Sequence, residues 1–325
     1  MKNHFLLLLV FMAAPTFAQS VTSERYSQMA YPSQLKLCLS AVASDYSGGR
    51  ASGSVGAQLT ERFISGTFKQ IGLRPFGSTT FTHSFPYYHY SRDSWDFVQC
   101  DTIPLRNVVA LLPATFYSER YVIVCANYDY IGKIGDVIYN GADDNASGLT
   151  AMLALARMMA AFARREECLN TNILFIAFDG SELDMAGSRH FVSNMGIDPQ
   201  DIKCVIDMDK IGTSLEPPSD NPKYVIALCN SIFPQSYKVA LQRINLREGL
   251  DMCIDYTYYG SRDFTALFYA SADHYQFSRK NIPSVMFTSG INRYTMKPTD
   301  DPDIIDYRAL YDRIKLIFSF MLWLQ

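Results

Sequence analysis

Six apolar runs of strand length recur along the chain: NVVALL (107–112), YVIVCA (121–126), NILFIAF (172–178), CVIDMD (204–209), YVIALC (224–229) and PSVMFT (283–288). They show no alternation of apolar and polar positions, which predicts strands covered on both faces. Between the second and third lies LTAMLALARMMAAFAR (149–164), apolar almost all round and so read as a buried helix. Residues 33–77 read as two helices around a Gly/Ser turn, the second stopping at Gly72 and Pro75. Further helices are expected over 233–246 and, amphipathic, over 307–324. Strands alternating with helices predict an α/β sandwich around a largely parallel central sheet, a single domain from residue 19 to 325.

The first residues break this pattern. MKNHFLLLLVFMAAPTFAQS has a basic start, an apolar run from Phe5 to Ala14, and small residues before a cut after Ala18. This reads as a secretory leader, so the expected protein is exported, periplasmic or extracellular, and begins at Gln19. No later run approaches the ~18 uninterrupted apolar residues of a membrane span. With 29 basic and 32 acidic side chains the formal charge is −3, which speaks against nucleic acid or a membrane surface as partner. Seven cysteines, an odd number without a CxxC, leave room for a disulfide in an oxidising compartment. Cys125, Cys204 and Cys229 lie within apolar runs and read instead as buried thiols.

Candidate chemistry sits where the runs end. After YVIVCA come Asn127 and Asp129, and the loop GADDNASG, which enters the buried helix, offers Asp143, Asp144 and Asn145. After NILFIAF come Asp179, Ser181 and Glu182, and CVIDMD itself ends in Asp209. Any one of these could cap a helix: Asp144 or Asn145 before Gly148, or Ser181 with Asp184 before the next helix. Acids at four successive elements are not needed for capping, and together they repel unless a cation or many donors offset them. A metal site or its remnant is the better reading of the set.

In these motifs the chain resembles the co-catalytic zinc exopeptidases typified by bacterial leucyl aminopeptidases, a family that also holds glutaminyl cyclases and glutamate carboxypeptidases. GRASGSVGAQLTERFISGTFKQIGLRPFG is similar to the family's opening helix and turn, ANYDYIG to its H-x-D strand end, and GADDNASG to its bridging-aspartate loop. FDGSELDMAGSRHF is similar to the E-E-x-G turn, VIDMDKIG to the third metal strand, SADHYQF to the S-D-H segment, and TMKPTDDPDIIDY to the closing H-x-P-T-D segment. The resemblance implies a three-layer α/β sandwich with a mixed, largely parallel sheet. It also implies two zinc ions sharing Asp144, one of them further held by a histidine and Asp209, the other by Glu182 and a second histidine. The general base that activates water is the first glutamate of the turn.

Against that pattern the first histidine is Asn127, the second is Met296 and the base is Ser181. Asp144, Glu182 and Asp209 keep ligand positions, and Asp129, Asp273 and His274 keep positions lining the site. An amide oxygen and a thioether are poor zinc donors. What remains would suit a hard ion such as calcium, magnesium or manganese, or no ion at all. Loss of a positioned base typically lowers rate by roughly 10²–10⁴-fold. Ser181 is not in a G-x-S-x-G elbow, and of His83, His89, His190 and His274 only the last lies in a site motif, where hydrogen bonding and packing explain it. The expected function is a binding or non-catalytic homologue with room for a peptide-like ligand, as the transferrin receptor and nicastrin carry this domain without its catalysis. The alternatives are an exopeptidase acting on peptide amino termini through an atypical metal site, or a glutaminyl cyclase-like acyl transfer. Both draw on the groups that are substituted.

Overall fold

The expected strands form because each apolar run is enclosed from both sides. In the computed structural model, which describes residues 23–92, 98–165 and 168–325, two helices come first: α1 (Pro32–Val42) and α2 (Val55–Ile71). The second opens where Ser54 accepts from the Ala57 amide at 3.1 Å, and closes at Gly72, whose φ of 87° suits glycine. Strands β1 (Arg74–Pro75), β2 (Thr82–Arg92), β3 (Val98–Leu112) and β4 (Tyr121–Asn127) follow, then a small hairpin of β5 (Gly132–Ile134) and β6 (Val137–Tyr139). Helix α3 (Gly148–Arg164), β7 (Asn172–Phe178), α4 (Ala186–Asn194), β8 (Ile202–Met208) and β9 (Tyr224–Cys229) make up the middle. The chain ends with α5 (Gln235–Arg247), β10 (Cys253–Asp255), α6 (Arg262–Ala270), α7 (His274–Ser278), β11 (Ser284–Thr288) and α8 (Tyr307–Trp323). The leader read from residues 1–18 lies outside the described residues.

Among the described residues one mixed sheet runs in the order β1-β3-β7-β4-β8-β11-β9-β10, with β2 paired to β3. Strands β7, β4, β8 and β11 are parallel neighbours, and the antiparallel pairings lie to either side of them. Successive residues face opposite layers. Ile173, Phe175 and Ala177 of β7 join the core formed with α1, α2, α3 and α8. Leu174, Ile176 and Phe178 pack with Phe191 and Val192 of α4 and Phe277 of α7. This is the three-layer arrangement, and each such buried side chain contributes about 1.5–3 kcal/mol.

Helix α3, rich in Ala, Leu and Met, is a strong helix former enclosed along nearly its whole length. The stretch Ala142–Arg164 is long and apolar enough to cross a membrane, yet 89% of its apolar window is buried within the protein. Two sequence expectations are revised. Strand β3 starts at Val98 rather than 107, because its outer half, paired with β2, is exposed and carries no apolar run. All seven cysteines are free thiols, with Cys125 and Cys204 fully buried.

Parallel pairing decides where the chemistry goes. Asn127 lies in register with Phe178, and Cys125 with Asp207, so β4, β7 and β8 deliver their C-terminal residues to one edge. Helix α3 starts against that edge: a Cβ on Gly148 would lie 2.2 Å from the Met208 carbonyl oxygen and 2.4 Å from Asn145 Oδ1. Only glycine lets the bridging loop come so close.

Candidate functional site

Asn145 ties three elements together. Its Nδ2 donates to Asn127 Oδ1 and to the Met208 carbonyl, both at 2.8 Å, and its Oδ1 accepts from the amides of Gly148 and Lys210, both at 3.1 Å. The capping role expected in this loop thus falls to Asn145. Asp300, from the closing segment, accepts the amides of Asp143 at 2.8 Å and Asp144 at 3.1 Å. The fully buried Arg50 guanidinium donates to the carbonyls of Val42, Tyr128, Asn140 and Gly141, at 2.6–3.2 Å. These are positioning groups, and they fix Asp144 before any ligand is considered.

The turn after β7 is set by Gly180 at φ 79°. Asp129 accepts both oxygens' worth of donation from the Ser181 amide, at 2.8 and 3.1 Å, and a weaker bond from the Glu182 amide at 3.4 Å. Ser52 Oγ lies 3.0 Å from Asp129 Oδ2 and 2.8 Å from Asp179 Oδ1. The single hydroxyl proton is shared between the two carboxyls. Burial, then the nearby Asp129 charge, pushes Asp179 up to about 7, in keeping with that sharing. The expectation that Ser181 and Asp184 cap the following helix is overturned: Met185, in the left-handed region, holds that position and no side chain caps the helix.

Ser181 has another partner. Asn127 Nδ2 donates to Ser181 Oγ at 3.0 Å and to the Asp129 carbonyl at 3.2 Å, while its Oδ1 is taken by Asn145. The residues at the family's first histidine and base positions therefore bond to each other. The third substituted position, Met296, is exposed, and its amide donates to the Tyr130 hydroxyl at 3.1 Å. Burial, with Asp144, Asp300 and Glu182 nearby, holds that phenol well above its ordinary range, which places Tyr130 between Met296 and the acids.

Asp144 and Asp209 are brought together by a residue that the motif reading passed over. Lys210 Nζ lies 2.8 and 2.9 Å from the two Asp209 oxygens and 3.3 Å from Asp144 Oδ1. Burial opposes the ammonium charge, but Asp144 and Asp209 outweigh it and hold Lys210 well above its usual range. Burial pushes Asp209 up to about 6 against the pull of Lys210. Glu182 is exposed as a residue, yet desolvation, then Asp144 and Asp129, pushes it up to about 7. The sequence signal for Lys210 was a lysine directly after the third metal-strand aspartate, in VIDMDKIG.

Asp273 and His274 sit elsewhere, buried beside Asp207. The His274 amide and Nδ1 both lie 3.1 Å from Asp207 Oδ2, and Tyr269 meets the imidazole edge-on at 4.3 Å. His190 stacks on Phe85 and His83 bonds the Phe76 carbonyl, so neither attends Ser181.

The residues present do not fit the family's zinc pair. Two amide hydrogens occupy the first histidine position, the second is an exposed thioether, and an ammonium stands between two of the retained acids. Among the described residues no group of three or more His, Cys, Asp or Glu is placed to hold an ion.

An α/β sandwich whose parallel strands carry acids to one edge, with a bridging-aspartate loop opening the central helix, is the scaffold of the metal-dependent exopeptidases. A family model described as Peptidase family M28 matches residues 107–321, and the chain belongs to that family. Aminopeptidase YwaD of Bacillus subtilis (strain 168) is 30% identical over 119 residues, a match spanning 35% of this chain and 24% of that protein. Among solved structures, BSAP, a zinc aminopeptidase from Bacillus subtilis, superposes with a TM-score of 0.70 at 13% identity, covering 91% of this chain and 95% of that one. The aminopeptidase from Aneurinibacillus sp. strain AM-1 gives 0.71 at 12% identity, over 93% and 95% of the two chains. Porphyromonas gingivalis glutaminyl cyclase gives 0.64 at 16% identity, over 91% and 99%. At these identities the likeness is one of fold.

Proposed function

We propose that this family member is an exported homologue that keeps the exopeptidase scaffold but not its metal-dependent hydrolysis, and that it serves by binding a peptide-like ligand. The observation that carries the reading is the Asn127–Ser181 hydrogen bond of 3.0 Å. Asn127 directs both amide hydrogens and one oxygen lone pair to protein partners, and the neutral amide oxygen that remains is a poor zinc donor beside an imidazole. Ser181 accepts that bond, and a hydroxyl neither takes nor returns a proton near neutral pH as a tuned carboxylate does. The relatives' names, zinc aminopeptidase and glutaminyl cyclase, suggest an amino-terminal peptide segment as the class of ligand.

The test is a panel of amino-acid anilides incubated with the purified chain, with and without added zinc or manganese. Turnover no higher than the protein-free blank is expected throughout. Hydrolysis that disappears in Glu182→Ala would refute the proposal. Export is tested separately by sequencing the amino terminus of the protein recovered outside the cytoplasm, where Gln19 is the expected first residue.

A further inference from the structure

The family resemblance implies a divalent ion between the positions of Asp144 and Asp209. We infer that in this chain the Lys210 ammonium is a tethered substitute for that ion, so that the protein supplies from its own sequence the positive charge its retained ligand carboxylates require. The inference rests on the reading that metal-dependent hydrolysis has been lost.

Three features carry it. The first is position. Nζ meets both oxygens of Asp209 at 2.8 and 2.9 Å and reaches Asp144 Oδ1 at 3.3 Å, three contacts from two carboxylates to one cationic centre. A zinc or calcium ion needs oxygens at about 2.0–2.6 Å in the same space, and would have to displace the ammonium to get them.

The second is the way the lysine is aimed. Its backbone has φ 51°, a region that non-glycine residues seldom enter. That conformation is held from both sides. The Lys210 amide donates to Asn145 Oδ1 at 3.1 Å. Its carbonyl accepts from the Ser289 amide and Oγ, both at 2.7 Å, and from Thr288 Oγ1 at 3.2 Å. The side chain leaves this clamp with only 19% of its surface exposed. A lysine on a solvated face would not be held this way, and unusual backbone conformations that persist are held by their surroundings.

The third is charge. Asp144 and Asp209 are 13% and 11% exposed, and two carboxylates so enclosed require a compensating cation. Arg50 and Arg313, fully buried cations nearby, are spent on backbone carbonyls. Lys210 is the cation that touches the acids, which accounts for their retention where two histidine positions have gone.

The experiment is a titration of the mature chain and of Lys210→Met with Zn²⁺, Mn²⁺ and Ca²⁺, followed by calorimetry and by thermal unfolding. Methionine matches the length of the lysine stem and removes the charge; Lys210→Gln serves as a second variant. The wild-type chain should show no stoichiometric binding and the same melting temperature in chelator as in each ion. Both variants should bind one equivalent of at least one ion at least ~100-fold more tightly than wild type, as expected when a unit charge is removed from contact distance of the ligands. Their melting temperatures should rise with that ion. If a variant does not fold alone, recovery of the folded state on adding an ion supports the inference, and failure of every ion to restore it counts against. Stoichiometric binding by wild type, or folded variants that bind no better than wild type, would overturn it. Anilide turnover by the wild-type chain in chelator would sink the proposed non-catalytic binding role while leaving the lysine's role standing, so the two ideas fail separately.

Discussion

Arg50 and Lys210, two of the cations near the acidic edge of the sheet, are satisfied in opposite ways. Arg50 is enclosed by neutral partners, four loop carbonyls that it binds at 2.6–3.2 Å, and burial lowers its pKa to about 10 even with Asp129, Asp300 and Asp144 nearby. Lys210 is enclosed by two carboxylates in direct contact, and its charge is held well above the usual range despite burial. The first cation builds the scaffold by tying the end of α1 to the chain at Tyr128, Asn140 and Gly141. The second answers the ligand positions themselves. Scaffold and site can therefore change independently.

The comparison is most open to attack at Arg50. Arg50→Met should leave several buried carbonyls unpaired and destabilise the protein by roughly 4 kcal/mol or more, enough to prevent folding at ordinary temperature. Denaturant unfolding measures it, and a loss below 1 kcal/mol, about a minor surface change, would remove the scaffold role. Lys210→Met without added ion should cost on the order of 3 kcal/mol, since it leaves two enclosed carboxylates uncompensated. A variant as stable as wild type in chelator would show that the pair contributes nothing.

A pH series sharpens the account of the surrounding acids. Asp179 and Asp300 have ordinary values of 3.8 and are both raised to about 7, by burial first and then by Asp129 and Asp143 respectively. The folded state binds these protons more tightly than the unfolded chain does. Their stabilising contribution is fully present below about pH 4 and is lost as pH rises through about 7. Unfolding free energy should therefore be greater near ~pH 5.5 than near ~pH 8, by about 2 kcal/mol for each group and roughly 4 for the two. Asp179→Asn with Asp300→Asn should flatten that slope, and an unchanged slope would place the titration elsewhere. The smallest effect belongs to Ser181→Ala, which removes one of two acceptors for Asn127 Nδ2. A stability loss of about 1 kcal/mol or less is expected, with no change in anilide turnover.

Much of the fold could be read from the chain. NILFIAF and YVIALC coincide with β7 and β9 at both ends, because strands buried on both faces must be apolar throughout. The outer half of β3 could not, because an exposed hairpin arm has no apolar requirement. The acids at strand ends were legible as a set, and so were the substitutions at Asn127, Ser181 and Met296. Their partners were not: Asn127 and Ser181 are 54 residues apart, and their bond exists because β4 and β7 pair in parallel register. Asp273 and His274 carry a site motif, yet they pack around Asp207.

The sequence by itself determined the family and the parallel strands that gather acids at one edge. All of this is local, carried by residue type and by spacing along the chain. What stands in the vacated chemistry was decided only in three dimensions. A lysine following an aspartate reads as an ordinary surface charge. It becomes the counter-ion of Asp144 and Asp209 because Asn145, Thr288 and Ser289, from two distant segments, hold its backbone in the conformation that points it inward.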